Sequence, residues 1–208
     1  NIVGNKNKMK TQDGQNIGRG GSAVYVYGEG IASFYMYSGK ISGNSGDMSQ
    51  AAGEFSACVE NRGNFVMFNG EIAENGGVDN TGGGVLNLGT FTMEDGIISR
   101  NSGRIGGGIY NRGKKLEING GQITNNHASD RGGGICHYGQ AFTLAGGSIS
   151  GNTAGNGGGV CLGMSGSFTM NGGTISQNMA KDGGGVFWEV GGYGTKTCGV
   201  TFGGGKVT

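Results

Sequence analysis

The side chains best suited to binding a ligand are cations and aromatic rings near the two ends of the sequence. Lysines and an arginine near the start are closely followed by tyrosines, and two further rings stand near the other end. Cations attract anionic groups, and exposed rings offer flat apolar surfaces. The candidate binding residues are Lys6, Lys8, Lys10, Arg19, Tyr25, Tyr27, Tyr35, Tyr37, Trp188 and Tyr193. The alternative is that they cap the ends of the fold by covering strand edges.

Carboxylates are scattered along the chain rather than paired. Cleavage of a polysaccharide by acid–base chemistry needs two carboxylates that converge on one site. Glu71, Glu74, Glu94 and Glu117 instead fall at different positions of the repeat described below. We therefore predict no catalytic residue and no enzyme, with a polysaccharide-binding or polysaccharide-cleaving, pectate-lyase-like protein as the alternative.

Two cysteines, Cys136 and Cys161, occupy equivalent positions in consecutive repeats, in an expected outward column with Glu60, Leu86 and Tyr110. One coil apart, their Cα atoms would be about 4.8 Å apart, which is within disulfide range. Because their Cβ atoms would point in parallel, two stacked free thiols are an equal alternative. His137 is expected to turn toward a corner or the opposite face, so we predict neither a metal site nor a cofactor.

An internal repeat, GGGVxNxGTFTMxxGxIxxN, positions these residues. It recurs over 82–101, 106–126, 132–152 and 157–178. Its closing motif, Ile-x-x-Asn, recurs along the chain, with successive Ile residues 25 to 39 positions apart. A period of 20 to 50 residues is typical of solenoid proteins.

Each unit contains three short strand patterns separated by Gly or Asn, and the middle one, Phe91-Thr92-Met93, alternates apolar and polar residues. Three such strands cannot form a core alone, but stacked coils can. The sequence therefore predicts an all-β, right-handed parallel β-helix with three sheets and about seven coils of about 26 residues. The inward column of the first sheet would be Val24, Val59, Val85, Ile109, Ile135, Val160 and Val186.

The asparagine that closes each repeat predicts a structural ladder. An amide carries both donors and acceptors, so identical side chains one coil apart can hydrogen-bond to each other, and Asn tolerates left-handed corners. The expected ladder contains Asn44, Asn75, Asn101, Asn126, Asn152 and Asn178. A shorter series, Asn61, Asn87 and Asn111, ends at His137.

Composition and phase define the organisation of the chain. With 52 Gly, no Pro and a net charge of +1, it offers no basic surface for nucleic acid, and no apolar run approaches a membrane span.

We expect one domain over 1–208, with irregular coils over 1–81, regular coils over 82–187 and a last coil over 188–208. The two ends of the sequence fall at the same position of the repeat, so we expect either a segment of a longer chain or subunits that stack end to end.

The GGGI and GGGV openings, such as Gly132 to Ile135, precede strands that end in x-x-Asn. They resemble the GGA[I/V/L] and FxxN repeats of the chlamydial polymorphic membrane proteins and the Gly-rich repeats of other bacterial surface proteins. The resemblance covers 82–187. It implies an extracellular or cell-surface β-helix, attached to the outer membrane or cell wall, that acts as an adhesin or structural stalk. Its partner would be a protein or glycan on a host or neighbouring cell, and a stacked filament or sheath is a further alternative.

Overall fold

The computed structural model describes residues 1–3, 6–8, 22–28, 31–47, 57–76, 81–163, 165–189 and 198–208. Within these ranges the backbone forms short strands and no helix. Each strand pairs in parallel with the equivalent strand of the next repeat, while its neighbours along the chain lie in other sheets. The fold is a right-handed parallel β-helix, so the predicted fold class is confirmed.

Three long parallel sheets hold most of the strands that the structure describes. The first contains β3 (Val24–Val26), β7 (Val59–Asn61), β10 (Val85–Asn87), β14 (Ile109–Asn111), β18 (Ile135–His137), β22 (Val160–Leu162) and β26 (Val186–Trp188). The second contains β4 (Ser33–Met36), β8 (Asn64–Met67), β11 (Thr90–Met93), β15 (Lys115–Ile118), β19 (Ala141–Leu144), β23 (Ser167–Met170) and β27 (Gly199–Phe202). The third contains β1 (Ile2–Val3), β5 (Lys40–Ser42), β9 (Glu71–Ala73), β12 (Ile97–Ser99), β16 (Gln122–Thr124), β20 (Ser148–Ser150), β24 (Thr174–Ser176) and β28 (Lys206–Val207).

The length of the coils is less uniform than predicted. Partners in the first sheet recur at intervals of 35, 26, 24, 26, 25 and 26 residues. About five turns therefore keep the expected length of about 26 residues, rather than seven. The first interval is longer because the connection between its strands has additional residues.

The sequence did not predict a fourth parallel sheet, which follows the asparagine corner. It contains β13 (Ser102–Ile105), β17 (His127–Arg131), β21 (Thr153–Asn156) and β25 (Met179–Asp182). A further pair joins β2 (Lys6–Lys8) to β6 (Ser45–Asp47). Strands such as β17, with the sequence HASDR, lack apolar alternation. They pair because stacking aligns equivalent backbone groups, which leaves no hydrophobic signal in the sequence.

The core lies between the three long sheets and consists of the predicted inward columns. Ile98 pairs in register with Ile123, and Val85 pairs with Ile109. All four side chains are completely buried. In the second sheet, the rings of Phe65 and Phe91 stack with their centroids 4.5 Å apart. Since equivalent residues lie directly above one another, each apolar side chain packs on the same position of the next coil.

The predicted asparagine ladder is confirmed, and Asn126 illustrates its hydrogen bonding. Asn126 Nδ2 donates to Asn152 Oδ1 at 3.0 Å and to the Ile98 carbonyl at 2.9 Å. Its Oδ1 accepts from the backbone N and the Nδ2 of Asn101, both at 3.0 Å. The side-chain contact repeats from coil to coil through Asn44, Asn75, Asn101, Asn126, Asn152 and Asn178. A buried amide of this kind has two donor and two acceptor positions, and all four are used.

The left-handed corner lies one residue before each ladder asparagine rather than at the asparagine itself. Positive φ values of 59°, 52°, 56° and 55° occur at Glu74, Arg100, Asn125 and Gln177. The ladder asparagines therefore do not use the tolerance of Asn for left-handed corners, and their amides bind the next coil instead.

The shorter asparagine series forms a second ladder. Asn61 Nδ2 donates to Asn87 Oδ1 at 2.8 Å, and Asn87 Nδ2 donates to Asn111 Oδ1 at 2.7 Å. Asn111 Nδ2 lies 2.7 Å from His137 Nδ1. His137 is completely buried in this column rather than turned toward a corner or the opposite face, and no described residue lies within full hydrogen-bond geometry of its Nε2. The second ladder thus ends at an imidazole that is only half satisfied.

Candidate functional site

Three aromatic side chains, Tyr35, Tyr37 and Phe68, form an exposed aromatic platform on the second sheet. Alternation along β4 buries Met36 and turns Tyr35 to solvent. The rings of Tyr37 and Phe68 stack 4.8 Å apart at an interplanar angle of 8°. Tyr35 lies 6.5 Å from each of them, and Tyr35 and Tyr37 are 49% and 67% exposed. Clustered exposed rings of this kind mark a binding surface.

Phe68 is the member of the aromatic platform that sequence reasoning missed. Met36 pairs in register with Met67, so Phe68 follows β8 at the position where Tyr37 follows β4. The equivalence of the two positions was visible in the repeat. The signal was an aromatic residue directly beyond the last inward residue of two consecutive middle strands.

Tyr25 and Tyr27 form a second exposed pair, on the first sheet and at the corner that follows it. Their rings stack 5.8 Å apart at 22°. Val26, between them, is buried and pairs with Asn61. Tyr27 therefore occupies the same corner position as Arg62 one coil later.

Of the remaining candidate binding residues, Trp188 lies far from these tyrosines. Lys6 and Lys8 lie in β2, where their backbones pair with Ser45 and Asp47. Trp188 is half exposed in β26, which is six strands away from β3 in the first sheet. At about 4.8 Å per strand, that separation is about 29 Å. Three of the predicted residues lie outside the described part of the chain: Lys10, Arg19 and Tyr193.

A corner groove with a volume of about 450 Å³ lies between the first and second sheets. It crosses four consecutive coils and is lined by Ser33, Arg62, Gly63, Asn64, Leu88, Gly89, Thr90 and Lys114. Thr90 Oγ1 donates to Asn64 Oδ1 at 2.9 Å. Arg62 Nε donates to the buried Glu60 carboxylate at 2.7 Å. The groove therefore combines hydroxyl and amide groups with two cations, and sequence reasoning had not identified it.

The column that contains Cys136 and Cys161 is buried, although we expected it to face outward. Leu86, Tyr110 and both cysteines form a second apolar cluster on the far side of the first sheet. The Gly-rich turns pack against this side: a Cβ on Gly132 would lie 2.5 Å from the Cys136 Cβ. Glycine is required there because no other residue permits such a close approach at a φ of +69°.

Cys136 and Cys161 pair directly in register and are free thiols in the structure. Burial, reinforced by the hydrogen bond to Cys161, raises the pKa of Cys136 well above its usual value. The thiolate is the reactive form of cysteine, so the Cys136 thiol is a poor nucleophile. Whether they join as a disulfide under oxidising conditions stays a prediction.

Arg131, Tyr138 and Glu189 form a polar cluster that sequence reasoning missed. Arg131 Nη1 donates to Tyr138 Oη at 2.8 Å and to Glu189 Oε2 at 2.9 Å, and Tyr138 Oη also donates to Glu189. Burial and the Glu189 hydrogen bond raise the pKa of Tyr138. Gly163 lies between Tyr138 and Glu189 in the column, and a Cβ there would meet the tyrosine ring at 2.4 Å. The missing side chain lets the ring span one coil, so the cluster braces three successive coils.

Several carboxylates of the described residues form ion pairs at separate places on the surface rather than converging on one site. Glu71 pairs with Lys40 at 3.2 Å and with Arg100 at 3.3 Å, while Glu117 pairs with Lys115 at 2.7 Å. No three His, Cys, Asp or Glu side chains in the described ranges are arranged to hold a metal ion. In the same ranges, no helix is long and apolar enough to cross a membrane.

The site with the strongest binding chemistry is thus the outer face of the second sheet, where the aromatic platform and the corner groove share the strands β4 and β8. Comparisons with protein-family models, curated proteins and solved structures found no match to this chain.

Proposed function

We propose that this chain is a non-enzymatic β-solenoid that acts as an adhesive stalk on the cell surface or in secreted form, and that it binds glycans. The observation that carries the proposal is the aromatic platform of Tyr35, Tyr37 and Phe68. The apolar face of a sugar ring stacks on an exposed aromatic ring as other flat apolar surfaces do. The likeness of the GGGI repeats to bacterial surface proteins supports the proposed location.

The scaffold supports this function by holding the rings at fixed positions. Tyr35 and Tyr37 alternate with the partly buried Phe34 and the buried Met36 along β4 and directly beyond it. Their backbones are held by parallel pairing with β8. Rings held in place by a packed sheet lose little conformational freedom when a ligand binds, which favours affinity.

Binding of neutral hexasaccharides of glucose, galactose and mannose, and of the matching hexa-uronates, tests the proposal by titration calorimetry. Covering about 50 Å² of ring surface contributes about 1.3 kcal/mol, so Tyr37→Ala should weaken binding about tenfold. Met179→Ala, which removes an exposed apolar side chain from the distant β25, is the matched control and should leave the affinity unchanged.

Two results would contradict the proposal. If none of the oligosaccharides binds, or if Tyr37→Ala and Met179→Ala affect binding equally, the aromatic platform is not a glycan site. Release of shortened products during incubation with the wild-type protein would instead show the alternative function, polysaccharide cleavage.

A further inference from the structure

We infer that the corner groove beside the aromatic platform makes the site selective for acidic glycans, in which carboxylate groups lie along a sugar chain. This inference rests on the proposed function and names the ligand class of the same site. Its basis is the position of the groove relative to the platform, and the charges that line it.

The groove and the aromatic platform lie on one continuous face. Ser33 lines the groove, and Tyr35 is two residues farther along β4 on the same side of the sheet. At about 3.3 Å per residue, the groove edge is about 7 Å from the first platform ring. One coil later, Asn64 lines the groove, and Phe68, four residues farther along the chain, belongs to the platform. One oligosaccharide can therefore contact both.

The charged side chains that line the groove, Arg62 and Lys114, are both cations. Arg62 Nε donates to the buried Glu60 carboxylate, and the Arg62 side chain is about one-third exposed. Lys114 is exposed, and no described carboxylate pairs with it. An anionic ligand would thus meet one ammonium that no described carboxylate neutralises, and the partly exposed guanidinium of Arg62.

Neutral hydrogen-bonding groups lie between the two cations. Thr90 donates to Asn64 Oδ1, which fixes the orientation of that amide, and no described residue accepts from Asn64 Nδ2. The amide donor can bind a sugar hydroxyl in the span between Arg62 and Lys114, and the Ser33 hydroxyl can bind one in the coil before Arg62. Arg62 and Lys114 belong to coils that are two strand spacings apart, about 10 Å along the axis. That distance suits carboxylates on separate sugars of one chain better than a single small anion.

The test compares each hexa-uronate with its neutral hexose counterpart in titrations at low and high salt. We expect each bound uronate to bind more tightly than its counterpart, with the difference decreasing as salt screens the charges. Lys114→Gln should weaken uronate binding by roughly two- to fivefold and weaken hexose binding by less. The control is Lys181→Gln, which removes an exposed cation from the distant β25 and should change neither affinity.

The outcomes separate this inference from the proposed function. Equal binding of uronates and hexoses, or an equal effect of Lys114→Gln on both, overturns the selectivity and leaves glycan binding in place. Absence of binding to every oligosaccharide overturns both. Arg62→Lys keeps a positive charge that can pair with the buried Glu60 carboxylate but removes the guanidinium, so it should weaken uronate binding more than hexose binding; an equal effect on both also overturns the selectivity.

Discussion

Replacing His137 by asparagine separates the pH response of the second ladder from that of the rest of the protein. Burial lowers the pKa of His137 to about 4, although the Ser167 backbone opposes the shift. Its Nδ1 faces the Asn111 amide, which donates when the ring is neutral. The folded protein therefore favours the uncharged imidazole.

The expected magnitude follows from the two pKa values. A pKa of about 4 in the folded state, against 6.5 in the unfolded chain, corresponds to about 3 kcal/mol. Because the pKa of His137 is lower in the folded state, the ring is neutral in both states above pH 6.5 and costs no stability there. As the pH falls from 6.5 through 4, the unfolded chain binds the proton first, so the free energy of unfolding decreases. Wild-type stability should decline by about this amount over that window, in addition to any change from carboxylates.

Urea titrations of wild type and His137→Asn between pH 7.5 and pH 4 measure this difference. An asparagine continues the ladder, since its Oδ1 can accept from Asn111 and it does not titrate. The variant should lack the 3 kcal/mol decline. His137→Leu should also lack it, but should lose about 1–3 kcal/mol at every pH, because the Asn111 amide then has no acceptor. His127→Gln, at an exposed histidine of β17, is the control.

The reasoning fails if His137→Asn and wild type lose the same stability between pH 7.5 and pH 4. It also fails if the imidazole signal that disappears in His137→Asn titrates near pH 6.5 in NMR spectra of the folded wild type. Either result would show that the buried ring is hydrated or partnered when it is charged.

The remaining predictions concern the first ladder, its corner and the buried thiols. Asn126→Ala removes the acceptor of two buried Asn101 donors, so the free energy of unfolding measured in denaturant should fall by about 2–4 kcal/mol. Asn178→Ala, at the partly buried end of the ladder, should lower it by less. Gln177→Gly relieves a φ of 55° at an exposed corner and should stabilise the fold by about 1 kcal/mol; an unchanged thermal midpoint would contradict this. In the native protein the buried thiols should resist a thiol reagent. After unfolding, four reactive cysteines would indicate free thiols, whereas two would indicate a Cys136–Cys161 bridge.

The sequence was sufficient to predict the coils because identical chemistry recurs at a fixed period. Ile98 above Ile123, and Asn101 above Asn126, required only that equivalent residues stack. The burial of Cys136 was also encoded, but in a different pattern. Strands β14, β18 and β22 each have consecutive apolar residues rather than alternation, which is typical of strands buried on both faces.

The functional surface was harder to predict because it depends on contacts that the repeat does not specify. Glu189 reaches Arg131, 58 residues earlier, only because Gly163 leaves room for the Tyr138 ring. The corner groove arises from side chains of four coils, and the residues beside its recurring glycines differ in charge and size from coil to coil. Tyr35 and Tyr37 were identified as binding candidates from their residue type, but their stacking on Phe68 depends on the register of β4 and β8.

The second sheet shows why recognition can vary on this fold without loss of stability. Its inward positions remain apolar, as in Phe65, Phe91 and Leu116, and they carry the packing. On the outward face, the residues in register with Thr90 are Asn64 and Lys115, which differ in charge and size although their backbones are paired identically. A ligand that lies along the axis therefore meets a different side chain about every 4.8 Å on an unchanging scaffold. Affinity for such a ligand should depend on individual outward residues, one coil at a time, while the core and ladders set only their spacing.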